Sequence, residues 1–390
     1  MSRRPGTPRL LRAINDRSAL ELLLAEGPLT RARLGELTGL SKVTASALVG
    51  RLQERGLVEV IGTRSAGRGP SADLYAVRSG CAHGVGIDMG PREVVAAVAD
   101  VTGTVRGRIS RPVSDADDPV QLVAGAVHAV TAQVQITAED VADVVIGTPG
   151  VVDPVTGDVG YVFDLPRWHP GLRDALRDEL GCAVTIENDV NLAAIAERTD
   201  GAARDVEDLV LLWVGRGVGL AVVLGGRLHR GATGAAGEIG YLPVPGVPLP
   251  PAGSEPDKRA FQRLVGADAV VALAAEHGIV AAGAAQAVRA ALAAGAPAHG
   301  FLHELADRLA IGVAAVCAVV DPALVVLAGK VGAAGDGPLC ELVTQSMGRI
   351  VQFKPPLVPT GVHEAPVLRG ALLTAVDQAR EAMLASTAHD

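Results

Sequence analysis

The sequence predicts an α/β protein in which an N-terminal winged helix-turn-helix precedes a longer body of alternating strands and helices. Three observations carry this. Residues 27–60, GPLTRARLGELTGLSKVTASALVGRLQERGLVEV, have the pattern of two short helices about a glycine turn that run into a strand. From Gly84 onward, apolar runs of strand length are followed by helical periodicities, the alternation of an α/β body. Charge is segregated as well: residues 1–80 hold 13 Lys and Arg against 7 Asp and Glu, a net +6, and the remainder holds 22 against 36, a net −14. A basic head on an acidic body suits a chain that lays only its head on a polyanion.

Taken in order, residues 1–8 (MSRRPGTP) form a basic arm, expected to be mobile, and residues 10–26 a first helix with Leu10, Leu11, Ile14, Leu20, Leu23 and Leu24 available for packing. Thr30, after Pro28, is an N-cap for a helix that carries Leu34 and Leu37 inward and stops near Gly39. Ser41 caps the next helix, where Ala45, Leu48, Val49 and Leu52 fall at i, i+3, i+4 and i+7 on one face. Lys42, Val43, Thr44, Ser46 and Ala47 lie on the other face at the helix N terminus, where small and hydroxylated side chains let a helix sit deep in a major groove. Thr44 and Ser46 are suited to phosphates or base edges, and Val43 and Ala47 to a thymine methyl. Arg51, further along, joins the expected DNA contacts. A helical pair alone is as often plain packing. The wing tips the balance: residues 57–61 alternate as a strand, 62–71 (GTRSAGRGPS) are a basic glycine-rich loop, and 72–77 resume as a strand, placing Arg64 and Arg68 to reach backbone or minor groove.

At 390 residues the chain is too long for one ordinary domain. The expected division is a DNA-binding domain at 1–79, a hinge near 78–83 and an effector-sensing domain at 84–390. With 49% hydrophobic residues, burying large cores is not in question. No apolar run is long enough to span a bilayer and the arginine-rich start has no signal-peptide pattern, so a cytoplasmic protein with no membrane partner is expected. Cys81, Cys182, Cys317 and Cys340 are far apart with no Cys-x-x-Cys pair, which offers neither a metal site nor a disulfide framework.

In the body, residues 84–90 (GVGIDMG) make an apolar strand ending in Asp88 and Gly90. Further strands are expected at 94–98 and 105–109, then a helix at 119–135 and a strand at 141–146. This succession resembles the opening of an actin-like ATPase (ribonuclease H-like) lobe. There Asp-x-Gly sets backbone amides near a nucleotide phosphate and the carboxylate near its metal ion, although the same residues are also ordinary turn chemistry. Residues 301–320 predict a long apolar helix, 323–328 a buried strand and 365–385 a final helix.

Three further blocks, GTPGVVDPVTGDVGY (147–161) with Trp168 beyond it, TIENDVNLAAIAE (185–197) and VGRGVGLAVVLGGRLHRGATGAAGEIGY (214–241), together resemble the ROK family of bacterial sugar kinases and sugar-responsive repressors. The resemblance covers most of residues 84–380, and the winged head matches the repressor branch. It implies two lobes and a sugar-binding site of Asn188, Asp189, Glu238 and Tyr241, in which Asn188 and Asp189 would bond sugar hydroxyls and Glu238 would be a further sugar contact. Asp189 would be the base that takes a proton from the phosphorylated hydroxyl, a role open to a carboxylate at a strand end, and it would also serve as N-cap of the following helix. Gly215, Gly217 and Gly219 resemble a second phosphate loop.

The departures weigh equally. After Asp88 the family usually continues Gly-Gly-Thr; here Gly90-Pro91-Arg92 removes an amide donor and a hydroxyl. Arg216 replaces the threonine of Gly-Thr-Gly. The adenosine-side segment, Asp321-Pro322-Ala323 then Ala328-Gly329-Lys330, lacks one glycine. Where the family has Gly-His and a cysteine-rich zinc loop, this chain has Gly240-Tyr241 and a proline-rich run, PVPGVPLPPAGSEP (243–256), with no cysteine or histidine between Tyr241 and Ala274. The structural zinc is therefore expected to be absent, and no ATP cofactor is expected. The implied function is a transcriptional regulator, a repressor of carbohydrate genes, that binds roughly palindromic double-stranded DNA as a homodimer or homotetramer. It would sense a sugar or sugar phosphate through a body that has lost catalysis, leaving the phosphate loops and the base Asp189 as vestiges. Two alternatives are an active ATP-dependent sugar kinase with a DNA-binding head, and a regulator that answers a protein partner and no sugar.

Overall fold

The computed structural model describes residues 8–64, 71–114, 117–160, 170–244, 246, 248, 251 and 260–387. The arm at 1–7, Arg68, Tyr161, Trp168 and most of the proline-rich run lie outside them.

The head opens with α1 (Pro8–Glu26), a two-residue strand β1 (Leu29–Thr30), α2 (Arg31–Thr38) and α3 (Lys42–Glu54), followed by β2 (Val58–Arg64) and β3 (Ala72–Val77). Both expected caps form: the Thr30 hydroxyl accepts from the Arg33 N–H and the Ser41 hydroxyl from the Thr44 N–H, each at 3.2 Å. Gly39 ends α2 at φ 70°, a left-handed conformation that glycine adopts without steric cost. The wing is longer than its sequence suggested, since β2 stays paired with β3 from Val58 opposite Val77 to Arg64 opposite Ala72. β1 also pairs with β3, a third strand too short for alternation to reveal.

The head's core corrects two readings. Leu20, Leu23, Leu34, Leu48, Val49, Leu52 and Tyr75 are buried as their spacing required, but Leu37 is 37% exposed, and Leu10, Leu11 and Ile14 are each at least half exposed. The apolar cover is supplied elsewhere: Val101, Met383 and Leu384 complete this core, so the end of the chain packs into its beginning.

The body continues through β4 (His83–Met89), β5 (Glu93–Asp100), β6 (Val105–Pro112), α4 (Pro119–Gln133), β7 (Val141–Thr148), β8 (Val151–Val152), β9 (Val159–Gly160), α5 (Leu172–Leu180), β10 (Ala183–Asn188) and α6 (Asp189–Asp200). It then runs through β11 (Leu209–Val214), β12 (Val218–Leu224), β13 (Arg227–Leu228), α7 (Gln262–Val265), α8 (Ala267–Glu276), α9 (Ala284–Ala294), α10 (His299–Val320), β14 (Leu324–Ala328), α11 (Gly329–Met347), β15 (Leu357–Pro359) and α12 (Pro366–Ser386).

The chain divides into two compact units. One comprises Met1–Ile146, Leu172–Thr185 and Ala371–Asp390, and so holds the head, most of the sheet β10-β7-β4-β5-β6 and the greater part of α12. The other comprises Gly147–Gly171 and Ile186–Gly370, built on the sheet β13-β12-β11-β14-β15. In that second sheet β11 is antiparallel to β12 and parallel to β14, and α8, α9, α10 and α11 enclose a core of Phe261, Val288, Phe301, Leu305, Leu309 and Val343 beside it.

Candidate functional site

At the head, α3 buries Ala45, Leu48, Val49 and Leu52 and leaves Lys42, Val43, Thr44, Ser46 and Ala47 exposed, Val43 to 80%. Arg64 is exposed at the end of β2. Arg51 is different: its Nη2 lies 2.6 Å from Oδ1 of Asp16, a carboxylate on α1 that is 5% exposed, so its guanidinium is turned into the head as an inter-helix ion pair. The basic residue that sequence reading passed over is Arg31, which follows β1 and sits 4.9 Å from the Tyr75 ring centroid over the inner face of the wing. Only the pairing of β1 with β3 brings it there.

The residues expected on the sugar side lie in the second unit. β10 ends at Asn188, whose Oδ1 accepts from the N–H groups of Val190 (2.9 Å) and Asn191 (3.1 Å) while its Nδ2 donates to the Gly150 carbonyl at 3.0 Å. Asn188, and not Asp189, is therefore the N-cap of α6. Asp189 is the first helical residue, its carboxylate at the positive end of the helix dipole. α6 rests on β12 through Gly219, where a Cβ would stand 2.9 Å from Val190 Cγ2. Gly219 is thus a strand residue opposite Trp213 that makes room for α6. One residue on, the Leu220 N–H donates to the Gly237 carbonyl at 2.9 Å, and Gly237 (φ 91°) lies so close that a Cβ would stand 1.9 Å from the Leu220 oxygen. The turn that follows presents Glu238, half-buried, and Tyr241, 40% exposed. The segment that begins with Asn188 and Asp189 and the turn that carries Glu238 thus both meet β12, at Gly219 and at Leu220.

Three neighbours that sequence reading quoted or passed over without a role complete the arrangement. Glu187 is buried; its Oε1 accepts from the Asn188 N–H (2.9 Å) and from Asn191 Nδ2 (2.8 Å), and its Oε2 from Arg230 Nε (2.7 Å) and Nη2 (2.6 Å). The acid at 187 stood in the strongest sequence block, but its partner is 43 residues away, beyond any local signal.

The two loops expected to hold phosphate make hydrogen bonds within the chain. At the first, the Gly90 N–H donates to the Glu93 carbonyl at 3.0 Å and Pro91 has none to give. Burial, with Glu93 nearby, pushes the Asp88 carboxyl up to about 6. At the second, the Gly215 N–H turns onto the Gly217 carbonyl (3.0 Å). There the side chain of Gln262 accepts from the Val218 N–H at 2.8 Å and donates to the Arg216 carbonyl at 3.0 Å. Gly329 holds φ 79° where β14 turns into α11. Among the described residues no group of three or more His, Cys, Asp and Glu is arranged to hold a metal ion.

The model of the ROK family matches residues 84–373 and that of the MarR family residues 14–69. The xylose repressor of Bacillus subtilis (strain 168) is 27% identical over 240 residues, 60% of this chain and 61% of that protein. The DNA-binding transcriptional dual regulator NagC of Escherichia coli (strain K12) is 24% identical over 241 residues, 61% and 59% of the two. The matched stretch thus spans about three fifths of the length of these curated relatives. Among solved structures, a ROK family transcriptional regulator described as a homolog of the E. coli MLC protein superposes with a TM-score of 0.74 at 18% identity, covering 97% of this chain and 99% of that one. A ROK hexokinase from Thermus thermophilus superposes with a TM-score of 0.62 at 29% identity, covering 77% and 99%. A winged helix of the MarR type thus precedes a body with the actin-like sugar-kinase fold, and the chain belongs to the ROK family.

Proposed function

We propose that the chain is a DNA-binding transcriptional regulator, a repressor of carbohydrate-related genes, whose kinase-like body senses a sugar or sugar phosphate and has lost ATP-dependent catalysis. The observation that carries this is the contrast within the body: the segments that present Asn188, Asp189 and Glu238 both rest on β12, while the N–H groups of Gly90, Gly215 and Val218 in and beside the expected phosphate loops are bound within the chain. An exposed α3 and a paired wing on the basic head support the DNA-reading half, as do the names of the curated relatives. Effector binding would favour one of two body conformations and so change the spacing of two heads in a homodimer or homotetramer, which suits a roughly palindromic site. We expect a cytoplasmic protein with no structural zinc: Tyr241 offers no imidazole, Cys317 and Cys340 lie on α10 and α11, and Cys81 and Cys182 lie outside the strands and α-helices.

The test is a titration of full-length protein against labelled DNA from its own upstream region under excess random competitor, repeated with a panel of sugars and sugar phosphates. A competitor-resistant complex shifted by one compound is expected. A complex lost to competitor, together with ATP-dependent phosphorylation of a hexose that Asp189→Asn abolishes, would establish the kinase instead.

A further inference from the structure

We infer that Arg230 is a positioning residue for the sugar-side site, acting through the buried carboxylate of Glu187. This rests on the sugar-sensing reading above and adds two residues to it. Glu187 is 6% exposed, deep enough that its charge must be compensated. Both its oxygens are saturated by four donors that come from two separate segments. Oε1 takes the Asn188 N–H and Asn191 Nδ2 in the first turn of α6; Oε2 takes Nε and Nη2 of Arg230, where the loop that carries Glu238 begins. That loop is folded back on Arg230, since the Ala236 N–H donates to the Arg230 carbonyl at 3.2 Å.

One carboxylate thus fixes the distance between the segment that presents Asn188 and Asp189 and the segment that presents Glu238. Arg230 itself is 44% exposed in its side chain, so packing does not explain its geometry. What holds it is the fork of two N–H groups on one oxygen, which lysine reproduces only in part. A site read by hydrogen bonds loses affinity when its donors and acceptors shift by about an ångström, so the bridge sets the affinity for a hydroxylated ligand without touching it.

The experiment uses the full-length protein, calorimetry with D-xylose, D-glucose, N-acetylglucosamine and glucose 6-phosphate as probes, and amide exchange without ligand. Arg230→Met and Glu187→Gln should each weaken the probe that wild type binds by roughly tenfold or more. The double variant should be no weaker than the worse single one, because both act through one contact, and Arg230→Lys should recover part of the loss. Amides at 189–191 and 236–238 should exchange faster in Arg230→Met, with those of α3 unchanged. Wild-type affinity in Arg230→Met, or losses that add in the double variant, would overturn the inference while leaving the sugar reading intact. If wild type takes up none of the probes, the sugar reading fails on its own, and amide exchange judges the bridge: faster exchange in both segments supports it and unchanged exchange overturns it.

Discussion

Asp16 is nearly sealed from water, and Arg51 answers it with Nη2 at 2.6 Å and Nε at 3.3 Å. Removing the arginine leaves a buried charge unpaired, so Arg51→Ala should destabilise the head by about 3 kcal/mol, the low end for a broken buried pair since Arg51 keeps some solvent contact. Urea unfolding checks this; an unchanged midpoint with a selective loss of DNA affinity would return Arg51 to the DNA face. A second buried acid makes a pH prediction. Burial pushes Asp143, on β7, up to about 7, and Asp88 lies raised to about 6. Both stand above the unfolded value near 4, so the folded state holds protons the unfolded state has released. Their contribution is full below about pH 4 and is lost as pH rises through 6 and 7, with a slope near 1.4 kcal/mol per pH unit for each group in its window. Asp143→Asn should flatten the fall in melting temperature between pH 5 and 7.5, and an unaltered profile would remove Asp143 from the account.

At the scale of elements, the proposed function gives α3 and the wing different parts in reading DNA. Thr44→Ala and Ser46→Ala should change preference among sites, because both side chains are exposed on the face opposite the packed stripe. Arg64→Ala should weaken binding to all sequences and flatten the salt dependence by about one counterion-release unit, as should Arg68→Ala. Equal losses on specific and random DNA for all four would show the groove assignment to be mistaken. These elements were legible in the sequence because their signals are local: a capping hydroxyl, a glycine at the α2 end, a four-position stripe, alternation in two strands. β1 was not legible, as two residues carry no period, nor was the inward turn of Arg51, whose partner lies 35 residues earlier. In the body, Asn188, Asp189 and Glu238 stood in recognisable blocks, but the cap passed to Asn188, whose amide also reaches Gly150. Gln262, which closes the second loop from 44 residues away, gave no sequence signal at all.

The whole molecule repeats one plan twice. Each sheet is laid down as an antiparallel run of three strands with the fourth and fifth added beside the first, giving the orders β6-β5-β4-β7-β10 and β13-β12-β11-β14-β15. The sequence shows no repeat because only hydrophobic pattern and topology are shared, and many residues satisfy both. The head is joined to the rest of its unit by more than its linker. Arg17 pairs with Glu381 at 3.0 Å, Arg55 Nη2 donates to Ser386 at 3.1 Å, and Met383 and Leu384 sit in the head's core. The exposed ion pair adds little, but the buried side chains of α12 add several tenths to a few kcal/mol each. Such packing opposes swivelling of the head to follow its site. In a dimer on palindromic DNA, then, the distance between half-sites must match the distance between heads. Inserting half a helical turn, ~5 bp, between the half-sites should abolish competitor-resistant binding by turning one half-site to the opposite face, and inserting ~10 bp should restore the face but not the distance. Met383→Ala should loosen the head and make binding tolerant of both insertions at reduced affinity. Wild-type binding indifferent to a half-turn insertion would mean that the heads act independently, and the contact with α12 would then be a matter of stability alone.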